Sequence, residues 1–233
     1  MRRKIPMLTA IMGAMPDEVD QLAALLEDKK TETYAGIEYV QGLLAGKPVV
    51  LCCGGMGKAN AASTVQVLVT RYQAHQLIFS GIAGNMSSKI GVGDVVIGKD
   101  VVYHDAEPDM ICQSAPFLKE FKGDDKLVAL AEKACSTVGV NYLVGKIATG
   151  DQFVGDTATK NAIASKYNPD CVEMEGATVC QIAARNGIPC VVLRAMSDNA
   201  DEAGRESLVV KKFSIAEYIA TATAIVHEMM KQM

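Results

Sequence analysis

The chain has no tryptophan, and only five phenylalanines and seven tyrosines among its 233 residues. So few rings give no stacking platform for the bases of a long strand. A basic stripe is also missing. The net charge is −4, with lysines and arginines dispersed along the chain, which argues against nucleic acid as a partner. His75, His104 and His227 stand far apart and form no metal-ligand spacing, so neither a metal nor a cofactor is expected. The seven cysteines are odd in number and include no C-x-x-C pair. Several lie in apolar runs such as Pro189-Cys190-Val191-Val192-Leu193. They read as small buried thiols in a reducing compartment, and a cytoplasmic location is expected. No apolar run is long enough to span a bilayer. Arg2-Arg3-Lys4 before the apolar stretch Ile5 to Met15 mimics a short signal peptide. It is read here as a basic lead-in to a first buried strand, because Gly13 and Pro16-Asp17-Glu18 form a strand-to-helix turn and not a cleavage site.

What is present is a regular alternation. Hydrophobic residues make up 49% of the chain, enough for a sizeable core, and its length suits one domain over 1–233. Buried strands are predicted at Met7 to Ala14, Leu77 to Ser80, Asp94 to Tyr103, Tyr142 to Thr149, Cys171 to Met174 and Pro189 to Ser197. Ile37 to Ala45 and Pro48 to Cys53, hinged at Gly46-Lys47, read as a hairpin. Helices are predicted from Pro16 to about Asp28, Lys58 to Tyr72, Asp124 to Val138, after Met174 through Asn186, and from about Phe213 onwards. Strands and helices in this order imply an α/β domain with a mixed, mostly parallel sheet flanked by helices. In such sheets ligands gather beyond the C-terminal strand ends.

Four strand-to-helix junctions place polar groups there. Glu18, in Gly13-Ala14-Met15-Pro16-Asp17-Glu18, can act as a general base, although complementing the helix dipole explains it more simply when it is taken alone. Ser80-Gly81-Ile82-Ala83-Gly84-Asn85 lets a ligand approach the backbone closely, or is simply a tight turn. In Val172-Glu173-Met174-Glu175-Gly176, extended geometry would put both acids on one face with Met174 opposite. Each carboxylate could accept the hydrogen bonds of vicinal sugar hydroxyls, though acids also suit a helix N-terminus. The last, Val191-Val192-Leu193-Arg194-Ala195-Met196-Ser197-Asp198, is the strongest signal. A wholly apolar strand that ends in Arg, Ser and Asp is not explained by packing, and a buried Arg194 needs an acid, for which Glu175 is the natural candidate. Gly55-Met56-Gly57-Lys58 resembles half a phosphate loop without its spacing and reads as close strand–helix packing.

With Gly91-Val92-Gly93-Asp94, Tyr103-His104-Asp105-Ala106 and Gly150-Asp151 with Phe153, these blocks resemble the 5'-methylthioadenosine/S-adenosylhomocysteine nucleosidases of the nucleoside phosphorylase superfamily, in order and nearly end to end. The resemblance implies hydrolysis of the N-glycosidic bond of an adenine thionucleoside. It implies that Glu18 activates water, Asp198 protonates adenine N7, and Glu175 holds the ribose hydroxyls with Arg194 orienting it. Met174 would pack on the sugar, with Glu173 beside it. Phe153 would stack on adenine, the Val154 backbone would read its edge, and Ser197 would position Asp198. Ile82, Ala83 and Gly84 would approach the substrate. Ile82, Ile111, Val209, Val210 and Phe213 would form an apolar 5' pocket. A homodimer is implied as well.

Three departures stand out. Ile82 occupies a position where many relatives have Ser. Val209-Val210 replaces a Ser-Phe pair. Glu107-Pro108-Asp109-Met110-Ile111-Cys112-Gln113 replaces a Gly-rich aromatic segment that in relatives reaches the partner's 5' pocket. Two competing readings are a phosphate-dependent nucleoside phosphorylase and a non-catalytic nucleoside-binding protein. The first lacks an arginine before the Gly81 to Gly84 segment, and the second has no use for an acid–base pair.

Overall fold

The computed structural model describes residues 7–210 and 215–233, with the backbone alone for Val210. Arg2-Arg3-Lys4, the Val210 side chain and Phe213 therefore lie outside the described residues. The elements run β1 (Thr9–Gly13), α1 (Pro16–Ala24), β2 (Glu27–Tyr34), β3 (Ile37–Leu44), β4 (Lys47–Cys53), α2 (Lys58–Thr70), β5 (Gln76–Asn85), β6 (Val95–Tyr103), α3 (Pro108–Ile111), β7 (Phe121–Lys122) and α4 (Asp125–Val138). Next come β8 (Tyr142–Thr149), α5 (Thr157–Tyr167), β9 (Cys171–Glu173), α6 (Gly176–Asn186), β10 (Cys190–Asp198), α7 (Glu202–Arg205), a π-helical turn (Glu206–Val210) and α8 (Ala216–Gln232).

The sheet is mixed. β5, β10, β6, β8 and β9 pair in a closed ring, and β1, β4, β3 and β2 extend from β5 as an arm. β1 is parallel to β4 and β5, β10 to β5, β8 to β6, and β9 to β8. β6 runs antiparallel to β10 and β9 to β5, yet the C-terminal ends of β1, β5, β8, β9 and β10 all lie at one cavity. One apolar layer joins the sheet to α2 and α6, through Val65 and Leu68 and through Val179 and Ala183. The other joins it to α1, α4 and α8, through Leu22, Leu127, Ile225 and Met229. β10 is buried along its whole length because both faces are covered, which is why it reads as an unbroken apolar run.

Two sequence expectations need correction, and one helix has no counterpart among them. The first helix stops at Ala24, and Glu27–Tyr34, expected in part as its last turn, is a strand. Nearly all of β2 is exposed, so it has no apolar alternation to read, and its charged residues suit the end of a sheet. Residues 81–85, for which a tight turn was an alternative, continue β5 and pair with β10 and β9. α5 was not foreseen. Only Ile163 of it is buried, so its apolar face is too thin to see, although Asp156 accepts from Thr159 N–H as an N-cap. Ile111 packs against the core layer of α2 and α6.

α8 closes one layer, and Ile225 within it is fully buried. Ile225→Ala should cost about 2–5 kcal/mol through lost transfer free energy and a residual cavity. Urea unfolding should show this as a lower midpoint at unchanged slope.

Candidate functional site

Where the strands converge there is a cavity of about 640 Å³. It is lined by Glu18 of α1, Ile82, Ala83 and Gly84 of β5, Phe153 and Val154 after β8, Glu173 of β9, Met174 and Glu175 leading into α6, and Ser197 and Asp198 of β10. Residues far apart in sequence thus share one wall. Arg194 is not on that wall. It lies just behind it, only 1% exposed.

The Glu18 side chain turns back over the start of its own helix. Its Oε2 accepts from Ala14 N–H (2.7 Å) and Met15 N–H (3.0 Å), and its Oε1 accepts from Ile82 N–H (3.1 Å). Three backbone donors hold the carboxylate at one point, and one of them, Met15 N–H, belongs to the N-cap residue of α1. Gly81 leaves room for it. A Cβ there would stand 2.4 Å from Glu18 Oε1 and 2.3 Å from Arg194 Nη1.

The second carboxylate cluster surrounds Arg194. The guanidinium donates to Glu173 Oε2 at 2.5 Å and reaches Glu175 Oε2 only at 3.5 Å. The expected pairing with Glu175 is therefore secondary. Glu173 is the main partner, and it is tied further: Thr149 donates to its Oε1, and the N–H groups of Glu175 and Gly176 to its carboxylate. Glu173 lines the cavity, yet both its oxygens are engaged by the protein. Glu175 keeps more freedom. Its Oε1 accepts from Gly57 N–H at 2.7 Å, and Oε2 faces the weaker Arg194 contact. Met174 lines the same cavity as the two acids and does not point away from them, because β9 ends at Glu173 and the chain turns at Glu175 to start α6.

Burial works against the charge of Arg194, but Glu173, Glu175 and Glu18 outweigh it and hold the guanidinium above its ordinary range. The guanidinium carbon stands over the Phe79 ring, 4.0 Å from its centroid. Burial, followed by the nearby Glu173, pushes the Glu175 carboxyl up to about 7. Asp198, which also lines the cavity, is raised by burial, tempered by Ala200 N–H on Oδ1 (2.7 Å) and Ser197 Oγ on Oδ2 (2.8 Å). Ser197 does contact Asp198, as expected. Among the described residues no group of three or more His, Cys, Asp or Glu could hold a metal ion.

Phe153 is 41% exposed, at the mouth of the cavity, while Val154 is buried. Of the expected apolar wall, Ile82 lines the cavity. Val209 is 53% exposed and off the cavity, and Leu208, Ile215 and Ile219 line it instead. The sequence reading also missed Thr149 and the N–H groups of Gly57, Ile82 and Ala200. No residue type announces a backbone donor. Only the glycines beside them hinted at close approach.

The family model described as "Phosphorylase superfamily" matches residues 9–231. A 5'-methylthioadenosine/S-adenosylhomocysteine nucleosidase of Bacillus cereus (strain G9842) is 41% identical over 209 residues, covering 87% of this chain and 89% of that protein. The crystal structure of the nucleosidase of that name from Neisseria meningitidis, in complex with methylthio-immucillin-A, superposes with a TM-score of 0.89 at 31% identity, over 97% of this chain and 99% of the other. Futalosine hydrolase of Helicobacter pylori superposes with a TM-score of 0.90 at 25% identity, over 98% and 99%. The chain belongs to the phosphorylase superfamily and, within it, to the 5'-methylthioadenosine/S-adenosylhomocysteine nucleosidases.

The raised Glu175 carboxyl gives a pH-dependent prediction. A carboxyl with pKa 4.5 when unfolded and about 7 when folded binds its proton more tightly in the native state. Its contribution to stability is full below the unfolded value and is lost as pH rises through the folded one. Glu175→Gln keeps the neutral shape, so the variant should gain stability relative to wild type between pH 5 and pH 8. Paired urea titrations at those two values check this. Glu173→Gln should instead be destabilising by about 3–5 kcal/mol, since it removes the main partner of a buried cation.

Proposed function

We propose that the chain hydrolyses the N-glycosidic bond of 5'-methylthioadenosine, S-adenosylhomocysteine or both, giving adenine and the thioribose product. The observation that carries this reading is the meeting of Glu18, Glu175 and Asp198 in one cavity, each in a different environment. Breaking C1'–N9 sends the bond's electron pair to the base and leaves positive charge on the ribose. Asp198 meets the first need. Burial holds its proton, and transfer to N7 lets adenine leave neutral. Glu18 meets the second. Held by three N–H groups, its carboxylate faces the ribosyl cation and takes a proton from the attacking water. Glu175 accepts the ribose hydroxyls with the lone pairs that Gly57 and Arg194 leave open. Met174 packs on the sugar, Phe153 covers the base and Val154 offers its backbone. Ile82, Ala83 and Gly84 line the same cavity.

Water, not phosphate, is the acceptor in this reading. The charged residues that line the cavity among those described are all acids, and a phosphate dianion there would meet carboxylates without a cation. Adenine release should therefore run at the same rate without phosphate. Strong acceleration by phosphate, with sugar 1-phosphate as product, would identify a phosphorylase.

Leu208, Ile215 and Ile219 support an apolar 5' group, each buried methylene adding about 0.8 kcal/mol. 5'-Methylthioadenosine should exceed adenosine in kcat/KM, and a panel that adds S-adenosylhomocysteine and futalosine tests the 5' preference. The same reading places the enzyme in the reducing cytoplasm, consistent with seven free cysteines. It also makes the enzyme a homodimer, which the exposed Met110, Phe117 and Leu118 of segment 107–122 support.

Asp198→Asn fills the same space without an acidic proton. Its kcat should fall by about 10²–10⁴ while its thermal unfolding stays near wild type. Turnover close to wild type would remove Asp198 as the acid.

A further inference from the structure

Three sequence blocks enter the chemistry above only through the Gly57 N–H: Gly55-Met56-Gly57-Lys58, Tyr103-His104-Asp105-Ala106 and Gly150-Asp151. They meet at one point. Lys58 Nζ lies 2.9 and 2.8 Å from the two oxygens of Asp105 and 3.6 Å from Asp151 Oδ2. Asp151 N–H donates to Asp105 Oδ2, and Lys58 N–H to Asp151 Oδ1, both at 2.8 Å. The ammonium also stands 5.4 Å from the centre of the Tyr103 ring. One cation and two carboxylates thus knot the turns that leave β4, β6 and β8.

Two groups at the cavity depend on that knot. The residue before Lys58 is Gly57, whose N–H holds Glu175 Oε1 at 2.7 Å. Gly57 stands at φ +90°, and a Cβ there would meet Asp151 Oδ1 at 3.1 Å. The turn is therefore both conformationally special and seated against the clasp. The residues after Asp151 are Gln152, Phe153 and Val154, which also line the cavity. The side chains of Lys58 and Asp105 are 26% and 25% exposed. Ion pairs at such sites contribute little to stability, so the clasp calls for another explanation than holding the fold.

We propose that Lys58, Asp105 and Asp151 are positioning residues that clamp the 54–58 turn to the 150–154 loop, so that Gly57 N–H stays aimed at Glu175 while Phe153 and Val154 stay over the cavity. The clasp ties the sugar side to the base side and touches neither. This rests on the assignment of Glu175 to the ribose.

The test compares Lys58→Met, Lys58→Arg and Asp151→Asn with wild type, by two independent readouts. The first is the titration of the Glu175 carboxyl carbon by NMR in the ligand-free protein, assigned through Glu175→Gln. It needs no turnover. Gly57 N–H favours the ionised carboxylate, so loosening the turn should raise the Glu175 midpoint in both Lys58→Met and Asp151→Asn. Simple charge effects would act in opposite directions: loss of the cation raises a carboxyl, and loss of the anion lowers it. Lys58→Arg should stay near wild type. The second readout is kinetic. KM for 5'-methylthioadenosine should rise about tenfold in Lys58→Met and Asp151→Asn, with kcat much less affected and thermal unfolding nearly unchanged. A Glu175 midpoint that falls in Asp151→Asn, or stays put in both variants, overturns the clasp. Activity lost only in proportion to unfolded protein also overturns it. A wild-type protein that releases no adenine sinks the proposed function instead, and leaves the NMR comparison to decide the clasp.

Discussion

Arg194 carries a full positive charge into a place almost closed to water, and much of the site is arranged around that charge. It enters on β10, which both core layers cover, so the backbone cannot move it outward. A buried cation must be matched by acid, and three carboxylates supply it from three different elements. Glu173 pairs with it most closely and is itself held by Thr149 and two N–H groups of the chain entering α6. Glu175 and Glu18 lie further off and feel the same field. Phe79 and the missing side chain of Gly81 complete the seat.

This arrangement gives the acids unequal roles. Glu173 is committed to the protein, although the two glutamates are separated by a single residue. Glu175, one turn of chain later, is less closely paired and is pushed toward neutrality by burial and by Glu173 itself. Asp198 lies at the end of the same strand as Arg194, with Ser197 and Ala200 as its hydrogen-bond donors, and burial raises it. Two strand ends and a helix start therefore offer a carboxylate fixed by the protein, a second that is less closely paired, and a third raised by burial, around one cavity. Unequal environments for chemically similar groups are what acid–base chemistry at neutral pH requires.

Much of this was legible in the sequence. The apolar run that ends in Arg194, Ser197 and Asp198 marked a buried strand surfacing at a site, because no packing reason puts those residue types together. Pro16 and the acids after it marked a helix start, and the hairpin at Gly46-Lys47 followed from turn chemistry. The order of the blocks was enough for the family, and the α/β class followed from the alternation of periods. Less legible were the elements with little apolar signature. β2 is charged and exposed, and α5 buries a single isoleucine, so neither shows a period to read.

The sequence by itself determined which groups the site contains: the acids, the buried arginine and the glycines that let them approach. It could not decide which acid pairs with which cation. Glu173 and Glu175 are both within reach of Arg194 by spacing. Only the end of β9 and the turn into α6 bring Glu173 closer, through backbone N–H groups that every residue owns and no residue type reveals. For the same reason Leu208, Ile215 and Ile219 join Ile82 on the apolar wall, while Val209 lies off it. Hydrophobicity says that a side chain seeks cover. Which cavity or core covers it depends on where the packed helices leave room.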